Sequence, residues 1–464
     1  MSLPGIKPVS LIASALALAA ALAACQIEQP GSVKWNNQSH LASTNNHSAG
    51  SSMPNFSPTG NAAEEAIRRN ATTLKDAYAG RFLIGTACDP NGFSDAEVAN
   101  IKANYNIITP ENCMKPANIH PQEANYNWGP PDTLVQWCTD NHIAINGHNL
   151  CWHSQVPNWF FQAPGGGQVS KELLLERSKA HIMTVVGRYK GKIRSWDVVN
   201  EAINDGGSAQ TALTENLRAG NGGNQWVRII GPEYLTMAFK WAHEADPAAM
   251  LQYNDYNIES SFKHQSSLIL LKRLIADGAP ISAVGIQGHW SLTTNIDNIE
   301  KSILDYKALG LKVAITELDV TVTGGNSGQF PGAGGAGGAG GGRGGFGRGG
   351  AGGAPGGAPG AGGAAPGAAA GGGAAPPPVA ATSPARTPFE RQADFYARLF
   401  EMLNRHADVI DRVTFWGIND PRSWKSGQQP LLFDGDMKPK PAFQSIIDVM
   451  TKPKSVVMAP GLGF

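Results

Sequence analysis

The chain has 464 residues, with 37 Lys plus Arg against 37 Asp plus Glu, so its formal net charge is zero. That balance and the lack of a long basic run argue against nucleic acid as a partner, and a neutral, uncharged ligand fits better. Many of the 56 Gly and 31 Pro crowd into one stretch, which reduces the folded part to a single large unit.

The first element is apolar. Residues 9–24 (VSLIASALALAAALAA) follow the basic Lys7 and are too short for a comfortable membrane span, but they suit a secretory h-region. Leu22-Ala23-Ala24-Cys25 resembles a bacterial lipobox, in which cleavage before the cysteine leaves a thiol that takes up diacylglycerol. Residues 1–24 are therefore expected to be a lipoprotein signal peptide and Cys25 the lipidated residue; the alternative is an ordinary signal peptide with an incidental cysteine. Lipid chains would hold the protein to a membrane without a spanning helix. Gln26 favours the outer membrane over the inner. Residues 25–60 are rich in Ser, Asn, Gly and Pro, bury too little to fold, and are expected to be a flexible tether. Of the other cysteines, Cys88, Cys113, Cys138 and Cys151, none stands in a CxxC pair; buried thiols and one or two bridges both remain open.

From residue 61 to 453, short β-type runs alternate with segments of helical period. Strands are predicted at Phe82 to Thr86, Asn106 to Thr109, Ala144 to Leu150, Ser195 to Asn200, Leu251 to Asp255, Ala283 to Gln287, Lys312 to Thr316 and Arg412 to Gly417. Helices are predicted near Asp95 to Asn104, Pro131 to Asn141, Lys171 to Arg188, Pro232 to Glu244, Lys263 to Asp277, Asn295 to Leu309, Glu390 to Arg405 and Pro441 to Met450. In one of them Ile296, Ile299, Ile303 and Tyr306 share a face and Gly310 takes the C-cap; in another Phe395, Leu399 and Met402 share a face. Eight strands each followed by a helix close most economically as an α/β (β/α)8 TIM barrel. An open doubly wound sheet is the alternative, weakened because no glycine-rich phosphate turn follows the first strand. The Gly/Ala/Pro stretch over 324–388 interrupts this pattern after the seventh strand and is expected to be a disordered insertion on the face that carries the strand ends; 454–464 is a tail.

The strand ends carry the chemistry. Glu201 in SWDVVNEA and Glu317 in KVAITELD each close a β-type run, which places two carboxylates where parallel-barrel enzymes work. TPENCMKP gathers Glu111, Asn112 and Lys115, which by themselves suit a solvated loop or a helix cap equally well. GHNLCWHSQVPNW holds His148, Trp152, His153, Gln155 and Trp159. Its two histidines lack a third ligand at metal spacing, so no metal is expected. The remaining ends give Asn200, then Asn254 and Tyr256 in NDYN, then Gln287, His289 and Trp290 in GIQGHW, then Asp319, then Trp416 and Trp424 in FWGINDPRSW. Aromatic planes beside His, Asn, Gln and Lys suit the faces and rims of sugars.

These strings together (TPENCMK, GHNLCWHSQVP, WDVVNEA, NDYN, GIQGHW, ITELDV and FWGINDPRSW) resemble glycoside hydrolase family ten, the retaining endo-β-1,4-xylanases, over roughly Ala63 to Thr451. The resemblance implies that Glu201 is the general acid/base and Glu317 the nucleophile, and that Asn200 bonds the sugar 2-hydroxyl. It further implies that His289, backed by Asp319, bonds the nucleophile. Glu111, Asn112 and Lys115 would hold the sugar two places to the non-reducing side of the cut. His148 and Trp152 would lie beside the reacting sugar, and Trp416 and Trp424 would wall the same subsites. Gln155, Tyr256 and Gln287 complete the expected substrate contacts. Pro116 stands where many relatives carry tryptophan, so the resemblance does not fix the details of the distal glycone site.

On those roles, His289 and Asn200 are expected to favour an ionised Glu317, whose charge would keep its neighbour protonated. No cofactor is expected, and the partners are xylan, xylo-oligosaccharides and, through the lipid, a membrane; the protein is expected to be a monomer in the bacterial envelope. Two rivals stand: a β-1,4-glucanase or mixed glycanase, with Lys115, Trp416 and Trp424 deciding, and a non-catalytic surface glycan-binding protein.

Overall fold

The computed structural model describes residues 62–206, 209, 212–219, 223–323 and 386–452. Cys25, the leader, the tether and nearly all of the expected insertion and tail lie outside them.

Among the described residues nine strands are formed: β1 Leu83–Ala87, β2 Ile107–Thr109, β3 Ala144–Trp152, β4 Ser195–Asn200, β5 Met250–Asp255, β6 Ala283–Ile286, β7 His289–Ser291, β8 Lys312–Thr321 and β9 Ile410–Phe415. Every pairing is parallel. Each strand from β1 to β6 pairs with the next, β6 pairs with β8, β8 with β9, and β9 returns to β1, which closes a barrel. β6 and β7 are two pieces of one barrel strand, since both pair with β8, at Ala283–Ile286 and at His289–Ser291. The barrel thus has the eight positions expected of the (β/α)8 fold.

Local chemistry accounts for the helix boundaries. Ser94 and Glu97 form a capping box that starts Asp95–Asn104, and Thr387 and Glu390 form another that starts Pro388–Arg405. The latter helix therefore begins two residues before the predicted Glu390, and the described chain resumes at residue 386, inside the 324–388 range read as insertion. Lys171–Arg188 matches its predicted bounds, with Ser170 as its cap. In Ile296–Ala308 the buried set includes Ile296, Ile299, Ile303 and Tyr306, as the period required, and Gly310 follows at φ +80, where an L side chain would strain. Short elements such as Ala62–Arg69, Pro116–Ile119 and Gln225–Ile229 were not anticipated, because one or two turns cannot show a period.

One expectation fails in an informative way. Glu317 does not close its strand: β8 continues to Thr321, because β7 supplies a partner for Asp319, Val320 and Thr321 beyond the barrel wall. Apolar packing fills the space between wall and helices, while the barrel interior is polar. Asp197 on β4 accepts hydrogen bonds from His148 Nδ1 at 2.7 Å, Asn146 Nδ2 at 3.2 Å and Gln252 Nε2, and Arg412 Nη1 reaches Gln252 Oε1 at 3.1 Å. On the opposite face of β4, Trp196 presses on β3 so closely that a Cβ on Gly147 would sit 2.2 Å from its ring. All four described cysteines are buried free thiols.

Candidate active site

The rim at the strand C-termini gathers Glu201, Asn254, Gln287, His289 and Glu317 from β4 to β8. Glu201 directly follows β4 with φ 56, the left-handed region that a glutamate occupies at a cost of about 1–2 kcal/mol. Its own backbone is fastened on both sides: its N–H donates to Asn254 O at 2.9 Å, and its carbonyl accepts from Arg218 Nε at 3.3 Å. The turn aims the carboxylate at Trp152 Nε1, which donates to Oε2 at 2.8 Å. Gln287 Nε2 donates to Oε1 at 2.9 Å and Asn200 Nδ2 at 3.3 Å.

Glu317 is 5% exposed. Asn254 Nδ2 donates to its Oε1 at 2.9 Å, and His289 Nε2 lies 3.2 Å from its Oε2. The other His289 nitrogen, Nδ1, donates to Asp319 Oδ2 at 2.8 Å. Burial by itself would lower the His289 pKa, but the carboxylates of Asp319 and Glu317 raise it to about 9, so the ring is an imidazolium at neutral pH. Asp319, fully buried, stays below the usual carboxylate range against that burial because His289, Lys425 and Trp424 all face it. The expected His289–Asp319 support of Glu317 is therefore present. The expected help from Asn200 is not: Asn200 faces Glu201, and the amide on Glu317 belongs to Asn254, whose Nδ2 also reaches Asn200 Oδ1 at 2.9 Å. The two carboxylates thus share one amide network while differing in charge environment. Glu317 touches a cation; the donors on Glu201 are all neutral.

The surrounding residues form two flanks. On one, Asn112 is held by Asp89 at 3.0 Å and bonds Lys115 Nζ at 3.1 Å, and Lys115 lies 5.2 Å over the Trp152 ring. Burial lowers the Lys115 pKa, and it raises that of Glu111. Gln155, at φ 46, contributes its carbonyl to Ala117 N at 2.8 Å, fixing the short helix that Pro116 opens. His148 stands edge-on to Trp416 at 5.4 Å. On the other flank, Tyr256 is tied to Asp205 and to Arg218 at 3.0 Å, with Lys263 Nζ 3.5 Å over its ring. Trp424, 45% exposed, crosses His289 edge-to-face at 4.9 Å. Burial and Arg218 drop the His153 pKa to about 4, so this ring is neutral. Sequence reasoning missed the parts played by Asn254, Asp89, Asp197, Arg218 and Lys425. Asn254 stood in the NDYN string and Lys425 beside Trp424, whereas nothing in the sequence singled out Asp89 or Arg218.

Two carboxylates from different strands on one rim of a parallel barrel, ringed by tryptophans and amides, are the apparatus of a glycoside hydrolase. The chain belongs to glycosyl hydrolase family 10, whose model matches residues 73–449. It is 34% identical over 394 residues to the endo-1,4-beta-xylanase A of Caldicellulosiruptor sp. (strain Rt8B.4), covering 83% of this chain and 48% of that protein. It therefore spans about half the length of that curated relative. It is also 34% identical over 387 residues to the endo-1,4-beta-xylanase of Geobacillus stearothermophilus, covering 81% of this chain and 98% of that one. Among solved structures, a xylanase from Thermoanaerobacterium saccharolyticum in complex with xylotetraose superposes with a TM-score of 0.63 at 31% identity, covering 82% of this chain and 99% of that chain.

Proposed function

We propose that this chain is a retaining endo-1,4-β-xylanase that cuts internal β-1,4 bonds of xylan by double displacement. One observation carries the assignment of roles: of two carboxylates in one network, only Glu317 is bonded to an imidazolium, and Glu201 is bonded only to neutral donors. An anion beside a cation suits attack on the anomeric carbon; a carboxyl among neutral groups suits carrying a proton. Glu317 would form the new bond to the anomeric carbon while Glu201 delivers its proton to the departing glycosidic oxygen. Glu201 would then take a proton from the water that releases the sugar. Membership of the family and the xylanase relatives support the substrate class.

Product analysis tests the substrate: xylohexaose should be cut much faster than cellohexaose, and the reverse order would favour the glucanase. Glu317→Ala should abolish turnover, with azide restoring some as a substitute nucleophile. Protein that binds xylan yet releases no reducing ends would be a glycan-binding platform instead. For the N-terminus we propose lipid attachment at Cys25, supported by the Leu22-Ala23-Ala24-Cys25 string. Cys25→Ser should move the protein from the membrane to the soluble fraction, and continued sedimentation with membranes would exclude the anchor.

A further inference from the structure

The extension of β8 past Glu317 does more than lengthen a strand. Its far end receives the loop that follows β9: Val320 N donates to Pro430 O at 3.1 Å, Val322 N to Gln428 O at 3.1 Å, and Thr323 Oγ1 to Gly427 O at 3.4 Å. That loop brings Trp424 and Lys425 down onto Asp319. Trp424 Nε1 donates to Oδ2 at 2.9 Å, the oxygen that also accepts from His289, while Lys425 Nζ donates to the other oxygen, Oδ1, at 3.0 Å. The lysine ammonium lies over the Trp424 ring, its Nζ 4.7 Å from the centroid, and the side chain is only 13% exposed.

A buried carboxylate bonded through one oxygen alone could turn about its Cβ–Cγ bond and would leave the second oxygen unpaired, a costly state. Lys425 removes both problems. We propose that Lys425 is a positioning residue for the reaction: by holding Asp319 Oδ1 it fixes Oδ2 on His289 and so fixes the imidazole on Glu317. This inference rests on the nucleophile role given to Glu317 above. It concerns a residue separated from Glu317 by Asp319 and His289, and reached from a different element than the carboxylates themselves.

Charge bookkeeping agrees with the geometry. The groups facing His289 and Asp319 are Glu317 on β8, Lys425 and Trp424 on the loop, Glu259 after β5, and Tyr396 on the helix Pro388–Arg405. Burial pushes Glu259 and Tyr396 toward their neutral forms, and the charged groups in direct contact within this cluster are the Glu317 and Asp319 carboxylates, the His289 ring and the Lys425 ammonium. Removing the ammonium leaves an excess anion beside the imidazole, so His289 should hold its proton to higher pH.

The test compares Lys425→Met and Lys425→Arg with the wild-type full chain in two independent readouts. Steady-state kinetics on xylohexaose should show kcat of Lys425→Met reduced by about tenfold with KM within about twofold, since an interaction felt only as the bond breaks lowers kcat. Lys425→Arg, which keeps a cation and donors, should retain at least about a third of kcat. Imidazole ¹⁵N NMR of the same proteins should place the His289 titration midpoint higher in Lys425→Met than in wild type. The proposal is overturned if kcat is unchanged, if KM alone rises, if the His289 midpoint does not move, or if both variants lose activity in step with their Tm. A wild-type chain inactive on xylohexaose would instead count against the enzymatic reading, and the NMR midpoint would still report whether Lys425 governs His289.

Discussion

The His289–Asp319 pair makes stability and protonation inseparable at the centre of the site. An unperturbed histidine titrates near 6.5, and this one near 9, a difference of about 2.5 pH units or about 3 kcal/mol at roughly 1.4 kcal/mol per unit. Because the folded-state value is the higher one, this contribution is complete below about pH 6.5 and is lost as pH rises through 9. Asp319→Asn keeps the volume and removes the charge. Burial, which by itself lowers the His289 pKa, would then be opposed by Glu317 alone, and the nearby Lys425 would add to the lowering. Imidazole NMR should find the wild-type midpoint near 9 and the variant midpoint near or below 6.5. Urea unfolding at a series of pH values should show the wild type losing about 1.4 kcal/mol per pH unit from this group between pH 6.5 and 9, with the variant flat over the same window. A wild-type ring that titrates near 6.5, or a variant ring that still titrates near 9, would refute the reasoning.

Two further outcomes are expected. Asn254→Ala removes the amide that Glu317, Asn200 and Thr316 share, so it should cost about 1–3 kcal/mol in denaturant unfolding and reduce kcat on xylohexaose by at least about tenfold; a kcat within about twofold of wild type would show that this amide does not support Glu317. Gly147→Ala drives a methyl group into Trp196 at 2.2 Å from its ring, and the overpacking should lower stability by about 1–3 kcal/mol; a Tm within one degree of wild type would mean that β3 yields easily there.

The barrel was legible because its strands are short apolar runs and its long helices repeat every three or four residues, as in Ile296, Ile299, Ile303 and Tyr306. Both carboxylates and the histidine were legible because each lies in a string that packing alone does not require. What stayed hidden depends on side-chain direction. Asn200 and Asn254 occupy adjacent strands and look alike in sequence, and only the paired register of β4 and β5, with Asn200 beside Asn254, shows which amide faces which glutamate. The overrun of β8 was hidden for a related reason, since its last residues form strand only because β7 lies alongside. Lys425 passed unnoticed because a lysine after a tryptophan in a loop carries no periodic signal.

The four buried cysteines have a practical use. Burial pushes the thiols of Cys138 and Cys151 up to about 12 and raises those of Cys88 and Cys113 as well, so the folded barrel offers an alkylating reagent almost no thiolate. They sit on β3, on the helix Gly129–Asp140 and in the segments after β1 and β2. Pulse labelling followed by mass spectrometry would read the opening of each of those segments separately, with no probe introduced. The molecule carries its own clock for local unfolding.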